Sequence, residues 1–146
     1  MKLFYHIVSK LPMSFLYFLS DIFYVVISRL YRKKVVEMNI RNSFPKLSEK
    51  ELIQIKNRFY NNFCDIFFET IKSYTITKKH LFNSVKFKNI DIINHHVLNK
   101  ERVVVLTSHQ CNWEWLAISA EVNLKSTLHF IYKKLRNRSF DEIMFK

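Results

Sequence analysis

The chain has 146 residues, of which 49% are hydrophobic and 16% aromatic, so it is long enough to form a core and amounts to at most one domain. Its formal net charge of +12 implies an acidic partner, which is a nucleic acid, an anionic lipid or an acidic protein. Its two cysteines lie far apart, which excludes a disulfide framework and suits a reducing compartment.

Residues 11–28 form the first predicted element, an apolar helix with the sequence LPMSFLYFLSDIFYVVIS. Its length approaches the roughly 20 residues that span a bilayer, whereas a central acid such as Asp21 opposes insertion by about 2.5–3.5 kcal/mol. A buried amphipathic helix is the alternative. We favour a membrane anchor, either embedded or interfacial, with the basic cluster that follows it on the cytoplasmic side. The basic cluster consists of Arg29, Arg32, Lys33 and Lys34.

Two further helices are predicted before residue 73. Residues 31–42 suit a helix that ends before Pro45, and Ser48 with Glu51 forms a capping box that opens a longer helix. Apolar residues recur along this longer helix at helical spacing and predict its core-facing side. They are Leu52, Ile55, Phe59, Phe63, Ile66, Phe67 and Ile71. Asp65 and Glu69 are interpreted as a solvated face or as salt-bridge partners.

The remaining pattern alternates short helices with short strands. Thr77 is predicted to cap a helix through Phe82, and Asp91 a helix through Leu98. A further helix is predicted from Asn112 to Glu121. The predicted strands are Val85–Lys88, Val103–Leu106 and Thr127–Tyr132. This alternation predicts an α/β fold with an incomplete, mostly parallel sheet of about three strands flanked by helices.

The stretch Val103–Trp115, VVVLTSHQCNWEW, carries the candidate chemistry. His109 lies at the predicted strand-to-helix turn, Asn112 can cap the helix, and Glu114 lies about one turn inside it. A carboxylate bonded to one imidazole nitrogen leaves the other nitrogen free to accept a proton, so we predict that His109 is a general base oriented by Glu114.

The same His-x4-Glu spacing occurs at His96 and Glu101, so the spacing alone does not select a site. That second pair lies in a polar stretch with no strand before it, and we therefore assign the base to His109. Cys111 is an alternative nucleophile, but nothing else in the chain resembles a cysteine acyl-enzyme motif. We predict no metal, no cofactor and no nucleic acid partner, because ligand spacing, a glycine-rich phosphate loop and an RNA-binding signature are all absent.

Residues 108–115 resemble the first signature block of the lysophospholipid acyltransferase superfamily, in particular its late lipid A biosynthesis (lauroyl/myristoyl) acyltransferase branch. Members of that branch usually read His-x-Gly-Asn-Trp-Glu, so Cys111 replaces a glycine in a chain that contains none. The resemblance covers essentially the whole chain, which corresponds to about the first half of a usual member. Other matching stretches are Asn42-Ser43-Phe44-Pro45, Phe59-Tyr60, Asp65, Glu69-Thr70-Ile71-Lys72 and Ile131-Tyr132-Lys133-Lys134.

This resemblance implies an enzyme that moves a fatty acyl group from an acyl carrier protein thioester to a hydroxyl of a lipid A precursor. It implies His109 as the base and Glu114 as the orienting acid, at the cytoplasmic face of the cell inner membrane. Residues 1–34 would be the membrane anchor with its basic flank, and residues 35–146 the N-terminal part of the acyltransferase domain. The implied substrate-binding residues are Asn112, Trp113, Tyr132, Lys133 and Arg136.

The alternative is a truncated, non-catalytic, membrane-bound remnant or partner subunit of such an enzyme. In usual members, later blocks complete the sheet and the acyl pocket. We therefore expect the 146-residue chain alone to be inactive or nearly so.

Overall fold

The structure is a computed structural model, and it describes residues 2–131. Within this range the chain forms seven helices and no strand. The helices are α1 (Lys2–Ser9), α2 (Met13–Leu30), α3 (Lys33–Ser43), α4 (Glu49–Lys72), α5 (Lys78–Ser84), α6 (Ile90–Leu98) and α7 (Trp113–Asn123).

The prediction of an α/β fold with a mostly parallel sheet is wrong for the described residues. Val85–Lys88 and Val103–Leu106 have irregular backbone, as does the described part of the third predicted strand. Val104 and Leu106 are 85% and 92% exposed instead of buried. β-branched residues fit a pleated surface, but a strand forms only where a neighbouring segment takes up its backbone N–H and C=O groups. No segment within residues 2–131 pairs with these runs in this way.

Packing divides the described residues into two units, one of residues 11–69 and one that joins residues 2–10 with residues 70–131. The division into a membrane anchor, residues 1–34, and the N-terminal part of an acyltransferase domain, residues 35–146, stays a prediction.

In the unit Leu11–Glu69, the core is formed by side chains of α2, α3 and α4 and of the connection before α4. Tyr60 is fully buried, and its hydroxyl donates to the Tyr31 carbonyl at 2.8 Å. Lys56 donates to Glu37 at 2.8 Å, and this hydrogen bond lowers the pKa of the Glu37 carboxyl below its ordinary value. The core contains Val36, Ile40, Leu52 and Tyr60, with Tyr24, Ile27, Leu47 and Ile55 packed against it.

Two of the predicted helix caps outside the candidate site are confirmed and one is wrong. The Ser48 N–H donates to Glu51 Oε2 at 2.8 Å and the Glu51 N–H to Ser48 Oγ at 3.4 Å, which is the reciprocal capping box. Thr77 Oγ1 accepts from the His80 N–H at 3.2 Å at the start of α5. Asn89, not Asp91, precedes α6, with φ of 58°, because asparagine tolerates the left-handed region better than most residues.

The aromatic stripe predicted as the core side of α4 is only partly buried. Leu52 and Ile71 of this stripe are buried as predicted, whereas Phe59, Phe63 and Phe67 are 36–41% exposed. The residues that α4 buries near these phenylalanines are Tyr60, Cys64 and Phe68. Helical spacing shows that these residues share a helix, but apolar residues on two adjacent sides leave the packed side undetermined. The prediction that all three phenylalanines are core residues is therefore wrong.

In the other unit, α1 is attached to the residues at the end of α4. The Ser9 carbonyl, which lies at the C-terminus of α1, accepts from Lys72 Nζ at 2.9 Å and from the Thr75 hydroxyl. The His6 and Tyr74 rings meet edge to face, with centroids 5.4 Å apart. The two hydrogen bonds to the Ser9 carbonyl satisfy an acceptor that the helix itself leaves unpaired.

Among the described residues, α2 is the one helix that is long and apolar enough to cross a membrane, judged by length and composition alone. Most of its side chains are exposed, with Leu16 and Ser20 as its buried positions. It coincides closely with the apolar stretch that the sequence predicted as an anchor.

Candidate active site

The candidate site is built on the turn that precedes α7. Asn112 Oδ1 accepts from the Trp115 N–H at 2.9 Å, which caps the helix as the sequence predicted. The helix then runs from Trp113 to Asn123, close to the predicted range. Helix capping therefore accounts for the position of Asn112 in the structure.

His109 lies on this turn and is exposed. Its ring meets the Trp113 indole, with ring centroids 4.8 Å apart and planes inclined by 61°. An aromatic contact of this kind restricts the orientations of the imidazole while one side of it stays open to a substrate.

Glu114 lies in the first turn of α7. It is half-buried, and its Oε2 atom is buried. The aligned peptide dipoles of a helix favour an acidic residue in its first turn, which is where Glu114 lies. Glu114 therefore lies half-buried in the first turn of α7, whereas His109 lies exposed on the turn just before this helix.

Trp115 fixes the N-terminal end of α7, and its side chain is only 5% exposed. Its Nε1 donates to Ser73 Oγ at 3.0 Å, and its ring meets His80 edge to face at 5.7 Å. Ser73 and His80 therefore support the turn from the segments after α4 and in α5. Sequence reasoning missed both residues, since no local spacing relates positions so far apart along the chain.

Comparison with known proteins identifies the family of the chain. A family model described as bacterial lipid A biosynthesis acyltransferase matches residues 2–146. The chain belongs to this family. No curated protein and no solved structure matches the chain. The resemblance inferred from residues 108–115 is thereby confirmed.

Cys111 departs from the usual lipid A acyltransferase pattern at a position where backbone geometry matters. Its φ is 49°, in the left-handed region, where the usual glycine carries no steric penalty. A residue with a Cβ in this conformation is strained by about 1–2 kcal/mol. The chain still forms the turn, because the Asn112 cap and the buried Trp115 fix the residues that follow it.

Of the two His-x4-Glu pairs, the one that the described residues join by a hydrogen bond is His96 with Glu101. His96 Nδ1 lies 2.7 Å from Glu101 Oε2, and the two side chains are 46% and 53% exposed. The pair lies at and beyond the C-terminal end of α6, where a histidine is a favourable last-turn residue. This local role explains the pair without catalysis.

The remaining candidate residues, Tyr132, Lys133 and Arg136, lie outside the described residues. Within residues 2–131, no group of three or more His, Cys, Asp or Glu side chains gathers as a metal site requires.

Proposed function

We propose that this member of the lipid A biosynthesis acyltransferase family transfers a fatty acyl group from an acyl carrier protein thioester to a hydroxyl of a lipid A precursor. His109 is the general base and Glu114 is the orienting acid. The observation that supports this assignment is their position on one turn, with the His109 ring exposed against Trp113 and the Glu114 carboxylate set into the start of α7.

In this mechanism one nitrogen of the His109 imidazole removes the proton from the acceptor hydroxyl. The acceptor oxygen attacks the thioester carbonyl, a carbon–oxygen bond forms, and the carbon–sulfur bond breaks. The leaving thiolate of the carrier takes the proton back from the imidazolium. Glu114 keeps the other imidazole nitrogen protonated and stabilises the imidazolium, which we expect once the acceptor closes the exposed side of the turn.

Charge and location agree with these substrates. The formal net charge of +12 suits an acidic acyl carrier protein and a phosphate-bearing lipid. We place the protein at the cytoplasmic face of the inner membrane, because α2 is apolar and mostly exposed and ends in a basic cluster. Cys111 is not a nucleophile in this scheme, since the acceptor hydroxyl attacks directly.

The test is an assay of acyl transfer from acyl carrier protein to a lipid A precursor in detergent. The 146-residue chain is expected to be nearly inactive by itself, so variants are compared with the low rate it retains, and robust turnover would overturn that expectation. A positioned general base contributes about 10²–10⁴-fold, so His109→Ala should lower kcat by at least about 10²-fold. Glu114→Gln should lower kcat by a smaller factor, because the His109 imidazole is still present as the base but loses the carboxylate charge that orients it.

The matched controls are His96→Ala and Glu101→Gln, which remove the other His-x4-Glu pair and should leave kcat within about two-fold. Equal losses in both pairs, or turnover that survives His109→Ala, would show that His109 is not the base.

A further inference from the structure

The pair formed by α2 and α4 has one polar flank. The Tyr17 hydroxyl donates to Glu69 Oε1 at 2.8 Å, and the Ser20 hydroxyl donates to Asp65 Oδ1 at 2.7 Å. Asp21 is exposed on α2, four residues after Tyr17 and therefore on the same side of that helix. The polar flank is defined here as Tyr17, Asp21, Asp65 and Glu69, and the buried Ser20 hydroxyl lies next to it.

Aromatic rings cover another side of the same pair. Phe23 stacks on Phe67 with centroids 5.9 Å apart and planes inclined by 9°. Tyr31 stacks on Phe63 at 5.2 Å, and Phe63 in turn stacks on Phe59 at 6.1 Å. These five residues, called the aromatic flank, are each 36–45% exposed although they contact one another.

Helix geometry places the two flanks on nearly opposite sides of α4. Residues 59, 63 and 67 recur every four positions and form one stripe, as do residues 65 and 69. Two positions along an α-helix correspond to a rotation of about 200°, so Asp65 points away from Phe63 and Glu69 points away from Phe67. The same two-residue offset separates Asp21 from Phe23 on α2.

The aromatic flank continues onto the outer surface of α2. Phe15, Ile22 and Val26 are 45–51% exposed and follow one another at helical spacing. An exposed apolar surface of this extent on a soluble protein indicates an interaction site.

Charge identifies the partner of this surface. The basic cluster Arg29, Arg32, Lys33 and Lys34 lies at the end of α2, and no acidic residue occurs in residues 22–36. Basic residues near an anionic membrane surface are attracted to it, so an apolar face beside such a cluster fits an anionic bilayer.

An α2 that crossed the bilayer would conflict with the hydrogen bonds between α2 and α4. Because the Tyr17–Glu69 and Ser20–Asp65 hydrogen bonds hold α4 alongside α2, a spanning α2 would take two carboxyl groups of α4 toward the hydrocarbon with it. Asp21 would enter as well, and an acidic side chain near the centre of a bilayer strongly opposes insertion. A helix that lies in the interface buries only one side, by about 5–10 Å.

We infer that α2 and α4 lie together in the plane of an anionic membrane surface, with the aromatic flank inserted among the lipids and the polar flank facing water. This inference rests on the proposed membrane location, and it adds that α2 does not cross the bilayer and that α4 is a second membrane-contacting helix.

The first experiment measures from which side each end of α2 is accessible. Ser14→Cys and Lys34→Cys are introduced separately into a Cys111→Ser chain in inside-out inner-membrane vesicles. An impermeant maleimide should not reach Cys64, which is buried and whose thiol pKa is raised by that burial. An in-plane helix labels equally at both positions without permeabilisation. Labelling of one position only after permeabilisation shows a spanning α2 and overturns the inference, while the proposed function stands.

The second experiment measures partition into vesicles of mixed phosphatidylglycerol and phosphatidylcholine. Phe63→Asp should weaken partition at least ten-fold, and Phe59→Asp should do the same, because each replaces an aromatic ring of the inserted flank with a charge. The matched control is Asn62→Asp, an exposed position on α4 outside the aromatic flank, which should stay within two-fold. Far-UV circular dichroism checks that each variant keeps its helices.

The outcomes separate the two proposals. Equal partition of Phe63→Asp, Phe59→Asp and Asn62→Asp overturns the role of α4 and leaves the membrane location intact. Failure of the unsubstituted chain to bind any vesicle overturns the membrane location and the in-plane orientation together, without bearing on the His109 assay in detergent.

Discussion

The backbone angle φ at Cys111 links the family sequence pattern to the stability of the folded chain. The residue has φ of 49°, and it replaces the glycine of the His-x-Gly-Asn-Trp-Glu pattern given above. The side chain is exposed, so its packing cannot offset the strain of the left-handed conformation.

Cys111→Gly should therefore stabilise the chain. Relief of about 1–2 kcal/mol of strain is partly offset by the entropy that glycine loses on folding, about 0.5–1 kcal/mol. The expected net gain in the free energy of unfolding is about 0.5–1 kcal/mol, measured by urea denaturation followed by circular dichroism.

Cys111→Ala is the matched control for this substitution. It removes the thiol but keeps a Cβ, so the strain should persist and stability should stay close to that of the parent chain. An equal gain from alanine and glycine would show that the thiol, and not the backbone, is responsible.

Among the elements, the packing of α4 against α2 and α3 depends on one buried phenol. Tyr60 is fully buried in the core, and its hydroxyl donates at 2.8 Å to the carbonyl of Tyr31, the residue that ends α2. Burial raises the pKa of Tyr60, so the hydroxyl remains a donor throughout the neutral range.

Tyr60→Phe should lower the free energy of unfolding by about 1 kcal/mol, the usual net contribution of one intramolecular hydrogen bond. The ring remains in place, so the loss measures the hydrogen bond and not a cavity. Urea unfolding provides the measurement.

Tyr24→Phe serves as the comparison, because the Tyr24 ring packs against the same core without a hydroxyl hydrogen bond among the described residues. Equal losses at positions 24 and 60 would contradict the importance of the bond to Tyr31.

For the molecule as a whole, apolar burial and net charge make separable contributions to membrane binding. The Debye length falls to about 3 Å near 1 M salt, so attraction of a +12 chain to anionic lipid is then largely screened. Apolar burial is not screened by salt.

The chain should therefore stay in the membrane pellet after a wash with about 1 M sodium chloride, as sedimentation and immunoblotting would show. A variant with Arg32, Lys33 and Lys34 each changed to Gln should bind anionic vesicles more weakly at low salt but keep the same salt-resistant fraction. Release of the unsubstituted chain by salt would mean that charge alone holds it at the membrane.

The sequence by itself determined the features that depend on residues close together in the chain. The caps at Ser48, Thr77 and Asn112 were predictable because side chain and backbone partner lie within three residues of each other. The family was predictable from residues 108–115, and the match over residues 2–146 confirms it.

The tertiary structure decided which segments have partners. The run Val103–Leu106 has the composition of a strand, yet the described chain offers no neighbour to pair with it. The predicted core side of α4 is buried at Leu52 and Ile71, yet between them α4 buries Tyr60, Cys64 and Phe68 instead of Phe59, Phe63 and Phe67. Strand pairing and burial are relations between distant segments, whereas propensity and helical period are properties of one segment, so only the folded chain could settle them.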